Sequence, residues 1–200
     1  MTTAPELTAE PTALPAALVK PLFDRAVAGG AASVPVFAPA TGHKIGDLPQ
    51  SSVDDIDRAF AVARHAQRDW AKVPVKQRVE ILRRFHDIVL AEQDTILDIV
   101  QTETGKCRSH AFDEVGDVAL NSRYYAAVAP KLLADRKPRG VLPVLTSVEV
   151  HNRPKGVVAV ISPWNYPLAL SASDAFPARI AGHPRIPPPE HQTPRYARLG

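Results

Sequence analysis

The sequence predicts an α/β fold, a block of helices followed by the first strand–helix unit of a parallel sheet. Three observations predict it. Apolar residues recur at helical spacing through long stretches between residues 53 and 134. The period then changes at 156–162, GVVAVIS, a continuous β-branched run of the kind buried on both faces in a parallel sheet. A small-residue stretch, 168–182, follows a Ser-Pro-Trp-Asn-Tyr-Pro turn and stops at Gly182, so the strand leads into a helix.

In chain order, residues 1–33 are rich in Ala, Pro and Thr and read as a flexible N-terminal arm, with helical potential over 16–27. Residues 34–50 read as two short strands around a Thr41-Gly42 turn, and prolines at 35, 39 and 49 mark them as edge strands. Ser52 with Asp55 forms a capping box, and Ile56, Ala59, Phe60, Ala63 and Trp70 follow at helical spacing, which predicts a helix from 53 to about 72. Pro74 breaks it. A second helix is expected over about 75–104, ending at Gly105. Its stripe is Leu82, Phe85, Val89, Ile96 and Val100, widened by Ile81, Ile88 and Ile99. A third, about 109–134, carries Phe112, Val115, Val118, Ala119, Tyr125 and Leu132. Residues 145–152 alternate like a half-exposed strand. From His183 onward, prolines at 184, 187, 188, 189 and 194 remove backbone donors. Residues 183–200 are therefore expected to be an irregular Pro/Arg-rich tail that pairs with nothing, leaving 34–182 as the folded unit.

Composition narrows the function classes. The 200 residues are 45% hydrophobic and 22% charged, which is globular, and the 20 prolines are about twice the usual ~5%. No run approaches the roughly 18 apolar residues of a membrane helix, so no membrane association is expected. Acids precede the first basic residue, Lys20, which is the reverse of a secretory signal. A single cysteine fits a reducing, cytoplasmic setting. The net charge of +3 is accounted for by residues 178–200, where four arginines face Glu190 alone, so the body carries no basic face for nucleic acid.

The candidate chemistry is sparse. Cys107, between Lys106 and Arg108, is the one thiol, and those charges would favour its thiolate; it reads as a bystander. The seven histidines show no ligand spacing, so no metal site is expected. Arg78, Arg83 and Arg84 with Glu80 and Asp87, and likewise Asp113, Glu114 and Asp117, read as solvated helix faces. The exception is the turn after 156–162. Ligands bind beyond the carboxyl ends of parallel strands, and Asn165 would sit there with an amide donor suited to a developing oxyanion. An asparagine satisfying turn backbone is the bland alternative.

KGVVAVISPWNYP, 155–167, resembles the strand-and-turn motif of the aldehyde dehydrogenase superfamily. DWAKVPVKQRVEILRRF, 69–85, is similar to that family's N-terminal helices, and ETGK, 103–106, to its helix-end signature. The likeness covers 34–182 and leans toward bacterial succinate-semialdehyde dehydrogenases. It implies N-terminal helices plus the first strand–helix unit of a Rossmann-like cofactor domain, truncated. It also implies NAD- or NADP-dependent oxidation of an aldehyde, with Asn165 as the catalytic amide that holds the substrate oxyanion. Ser162, Pro163, Trp164 and Asn165 correspond to the turn along the cofactor. The family's nucleophilic cysteine and its glutamate have no counterpart in these 200 residues, and Cys107 matches neither. Aligned through Gln192-Thr193-Pro194, Pro188 stands where the family has a ribose-binding lysine, a departure expected of a frame disruption, a pseudogene product or a fragment. The isolated chain is expected to be inactive and to bind NAD or NADP too weakly to matter. The alternative is a non-catalytic interaction module that associates with an intact homologue, or a homo-oligomer, through its helices or the 145–154 arm.

Overall fold

A computed structural model of the chain describes residues 14–15, 19–21, 28–30, 32–142 and 144–186. An antiparallel hairpin comes first, β1 (Ser33–Phe37) with β2 (Lys44–Pro49), paired from Ser33 opposite Pro49 to Phe37 opposite Lys44. Two exposed edges tolerate Pro35 and Pro49, as anticipated. Four helices follow: α1 (Val53–Trp70), α2 (Val75–Ala91), α3 (Gln93–Thr104) and α4 (Arg108–Leu132). After a long irregular stretch come β3 (Val158–Ala159), α5 (Pro167–Ile180) and β4 (Arg185–Ile186), with β3 and β4 parallel. No described helix is long and apolar enough to cross a membrane.

The core is helical. Ala111, Val115, Val118, Ala126 and Ala129 recur every three or four residues along one face of α4, and that face is sandwiched between α2–α3 and α5. Leu82 and Val89 of α2, Ile99 and Val100 of α3, and Leu168, Ala172 and Phe176 of α5 close around it. Small residues on α5 keep it near α4, and Phe85 meets Phe176 edge to face at 5.3 Å.

The capping box of α1 forms as expected. The Asp55 amide donates to Ser52 Oγ (3.1 Å), and the Ser52 amide donates to Asp55 Oδ2 (2.9 Å). The Gly29 amide adds a second backbone bond to the same carboxylate (3.0 Å), tying the described end of the N-terminal arm to the helix. These backbone bonds hold the Asp55 carboxyl well below the usual carboxylate range. Leu14 packs on the main core and Val19 on the hairpin; the rest of the expected arm helix lies outside the described residues.

Several expectations are corrected. The single helix over 75–104 is two, broken at Glu92, where φ is −98° and ψ 15°. Glu92, Gln93 and Asp94 have nothing to bury, and the break lets α3 sink Ile96, Leu97, Ile99 and Val100 together. Ile99 belongs to the core, but Ile81 and Ile88 face solvent, as do Phe112 and Leu132 of α4. Ile81, Ile88 and Phe112 each lie about a quarter turn off the buried stripe, and Leu132 is the last residue of α4. Residues 145–152 form no strand; Arg136 bridges Val150 and Arg139 bridges Ser147 as isolated antiparallel pairs. The buried strand over 156–162 shrinks to Val158–Ala159, with Ile161 77% exposed, because no further described strand lies alongside to cover it.

The proline-rich end also departs from expectation. Arg185 and Ile186 pair with Val158 and Ala159, although 184–189 was expected to pair with nothing. Both are non-proline residues, and Pro184 keeps its carbonyl, which accepts from the Val158 amide (3.2 Å). The remainder of the expected tail, 187–200, lies outside the described residues. Gly182, at φ +96°, makes the preceding turn. A Cβ there would fall 2.5 Å from an Arg78 guanidinium nitrogen and 2.8 Å from Pro154.

Candidate functional site

The turn between β3 and α5 is where the sequence places its chemistry, at the carboxyl end of a parallel strand. Ser162 is half-buried, Pro163 and Asn165 are exposed, and Trp164 is 57% exposed. The Asn165 side-chain amide makes no hydrogen bond to a described residue, so it does not serve the turn's own backbone. A side chain from another element holds this turn. Lys106 reaches across from the α3–α4 junction and donates from Nζ to the Asn165 carbonyl oxygen (2.7 Å).

Lys106 stands there because Gly105 ends α3 in the left-handed conformation (φ +73°), which reverses the chain and points residue 106 back over the helix ends. Its ammonium also pairs with Glu114 Oε1 and lies 4.3 Å from the centroid of the Tyr166 ring, on its face. Glu114 is fully buried, and its Oε2 accepts from the amides of Leu168 (2.9 Å) and Ala169 (3.1 Å). A carboxylate thus occupies the N-terminus of α5, where backbone donors and the helix dipole favour negative charge. Next to it, Asn121 Nδ2 donates to Ser173 Oγ (3.1 Å), and Ser173 Oγ donates to Asp117 Oδ2 (3.0 Å), joining α4 to α5 a turn further on.

Two charge groups read as solvated faces are corrected by this geometry. Glu114 is core, and the signal was present: position 114 falls on the 111–115–118 stripe, so a helix that buries its neighbours buries it too. Asp113, one residue earlier, is exposed. Arg78 is 8% exposed, its Nε and one terminal nitrogen have no hydrogen-bond partner, and burial pulls its pKa down. Arg83 does remain on the surface, beside Glu80.

Cys107 is exposed at the N-cap of α4 and makes no described bond to the turn that carries Asn165. Its thiol pKa is lowered, but not by the flanking cations. Lys106 is committed to Glu114, and Arg108 turns to Asp94 (3.0 Å) and Asp98. The Ser109 hydroxyl, 3.2 Å away, and the His110 amide at the helix start lower it instead. Among the described residues no three His, Cys, Asp or Glu side chains gather as a metal site.

The family model described as Aldehyde dehydrogenase family matches residues 27–199. A Mycolicibacterium smegmatis protein named "Putative succinate-semialdehyde dehydrogenase (NADP+)" is 48% identical over 162 residues, which is 81% of this chain and 31% of that protein. Among solved structures, an aldehyde dehydrogenase from Brucella melitensis biovar abortus 2308 superposes with a TM-score of 0.81 at 32% identity, covering 87% of this chain and 36% of that one. The succinate-semialdehyde dehydrogenase of Burkholderia pseudomallei gives 0.79 at 33% identity over 87% and 36%. The chain therefore spans about a third of the length of the relatives it matches.

Proposed function

Because the chain belongs to the aldehyde dehydrogenase family, we propose that it supplies the N-terminal part of an enzyme oxidising succinate semialdehyde to the acid with NADP+ in the cytoplasm. The single observation that carries the reading is the free Asn165 amide, exposed on a turn whose backbone is held by a buried ion pair. The substrate and the choice of NADP+ over NAD+ follow the names of relatives, of which one is 48% identical.

In this reading the Asn165 Nδ2–H donates to the aldehyde oxygen and strengthens that bond as negative charge develops. A single such donor is worth about 10²–10³ in kcat. Ser162, Pro163 and Trp164 would run along the cofactor; Ser162 is half-buried and Trp164 exposed in the turn beyond β3, which suits that contact. A nicotinamide cofactor held along this turn would supply the hydride acceptor. No residue of these 200 is assigned as the nucleophile: Cys107 caps a helix and is bonded to Ser109. The chain by itself is therefore expected not to turn over and to bind the cofactor weakly.

Assaying the 200-residue chain with succinate semialdehyde and either cofactor is expected to give no reduced cofactor. A chimera carrying residues 34–182 in place of the matching third of the Mycolicibacterium smegmatis relative is expected to reduce NADP+. Asn165→Ala in that chimera should lower kcat by about 10²–10³ with a smaller change in KM. Turnover by the chain alone, or full activity of the Asn165→Ala chimera, contradicts the reading.

One observation favours a second reading, association with an intact homologue or with another copy. Val141, Val144 and Leu145 are between 82% and 103% exposed on the stretch that joins α4 to β3, an apolar surface that a partner would cover. Size-exclusion chromatography after co-expression with the relative separates the two readings.

A further inference from the structure

We propose that Lys106 and Glu114 are a positioning pair, whose task is to set the direction in which the Asn165 amide points. The inference rests on the reading of Asn165 given above and extends it to two residues to which no role has been given.

The pair is built differently from an ion pair that merely joins helices. Both side chains also bond the same short segment. Glu114 Oε2 takes the Leu168 and Ala169 amides, the first donors of α5, and so fixes where that helix begins. Lys106 Nζ takes the Asn165 carbonyl oxygen at 2.7 Å and covers the Tyr166 ring at 4.3 Å. The remaining direction of each group is spent on the other partner, Lys106 Nζ on Glu114 Oε1. Residues 165, 166, 168 and 169 are thereby held by two side chains from α4 and the junction that precedes it.

Fixing the Asn165 carbonyl fixes the peptide plane after its Cα, and fixing the start of α5 fixes the plane two residues on. The Asn165 side chain, which has no hydrogen bond of its own to a described residue, is then anchored on a backbone held on both sides of it, which narrows the directions its amide can reach. The lysine side chain is 14% exposed and the glutamate is fully buried, so water competes poorly for either group. Lysine suits the place because its three ammonium donors diverge toward a carboxylate, a carbonyl and a ring. A planar guanidinium cannot serve those three directions at once.

The test separates positioning from plain structural support. Lys106→Met alone strands a buried carboxylate and is expected to destabilise the whole fold. The informative variant is therefore the double change Lys106→Met and Glu114→Leu, which removes both charges and keeps the volume. In the full 200-residue chain labelled with ¹⁵N, this variant is expected to exchange the Leu168 and Ala169 amides about tenfold faster or more, and to broaden or average the Asn165 side-chain amide signals. The amides of Ile99 and Val100 should exchange as before. Unchanged protection at 168 and 169, or an equal loss everywhere, overturns the proposal.

A second measurement needs no variant. In the unaltered chain the Lys106 ammonium protons should exchange slowly enough to be seen and be shifted upfield by the Tyr166 ring. A lysine that shows neither also overturns it. Both measurements read the order of the turn and not activity, so they stand or fall separately from the assay of the chimera.

Discussion

The helical half of the chain and the stretch from 133 to 162 are about equally rich in apolar residues and fare oppositely. Between Val75 and Leu132, and again in α5, helices supply their own partners: α4 is covered on one side by α2 and α3 and on the other by α5. Between 133 and 162 the apolar residues have strand character and need neighbours along a sheet. Two isolated bridges and a two-residue parallel ladder are all the described residues offer them, and Val141, Val144, Leu145 and Ile161 stay in water. A helix satisfies its backbone within itself and needs company only for one face, whereas a strand needs company for its backbone as well.

The largest expected effect contrasts isoleucines from the two regions. Ile99→Ala, at a fully buried site, should cost about 2–5 kcal/mol of unfolding free energy in urea titration, through lost transfer energy and the cavity left behind. Ile161→Ala should stay within about 0.5 kcal/mol. Similar values at the two positions would erase the distinction between the regions.

A smaller effect lies at the edge of the closed region. Ser52→Ala should cost about 1 kcal/mol by removing the cap of α1. Its partner Asp55 titrates below its unfolded value, so the stability it contributes is complete above about pH 4 and is lost as pH falls toward the lowered folded value. Asp55→Asn should therefore flatten the acid limb of a stability–pH curve while leaving its shape above pH 5 alone. An unaltered acid limb in that variant contradicts the assignment.

The smallest effect is the sharpest test of the open region. Val144 sits at φ +77°, a conformation that strains a β-branched residue by about 1–3 kcal/mol. Val144→Gly relieves that strain locally. If the stretch opens independently of the helices, the global midpoint should move by less than about 0.5 kcal/mol. A gain of 1 kcal/mol or more would mean that this loop unfolds together with the core.

What could be read from the sequence follows the same division. The capping box at Ser52, the Gly105 stop and the helix after Pro167 were legible because each is decided within a few residues. The break at Glu92 was not, since the stripe on either side continues in phase and only packing against α4 tells where the axis must turn. Residues 156–162 have the composition of a buried strand, and composition does not say whether the neighbouring strands are at hand. At the candidate site, Asn165 was singled out by its place after the strand. Lys106 lay inside the ETGK motif with no role attached, and Glu114 was passed over because a carboxylate among carboxylates looks solvated until the phase of α4 is counted.

The bond from Trp70 Nε1 to the Arg179 carbonyl oxygen, 2.8 Å long, closes a loop of more than a hundred residues between the end of α1 and the end of α5. It also gives the molecule a pair of native fluorophores in contrasting surroundings. Trp70 is half-buried with its indole donor occupied, and Trp164, the only other tryptophan, stands 57% exposed on the turn beside Asn165. Their emission separates by solvent exposure, the blue component belonging to the helix ends and the red to the turn. Quenching by iodide reaches Trp164 first, so the closure of the helical core and the covering of the turn by a ligand or a partner can be followed by light in one unlabelled sample.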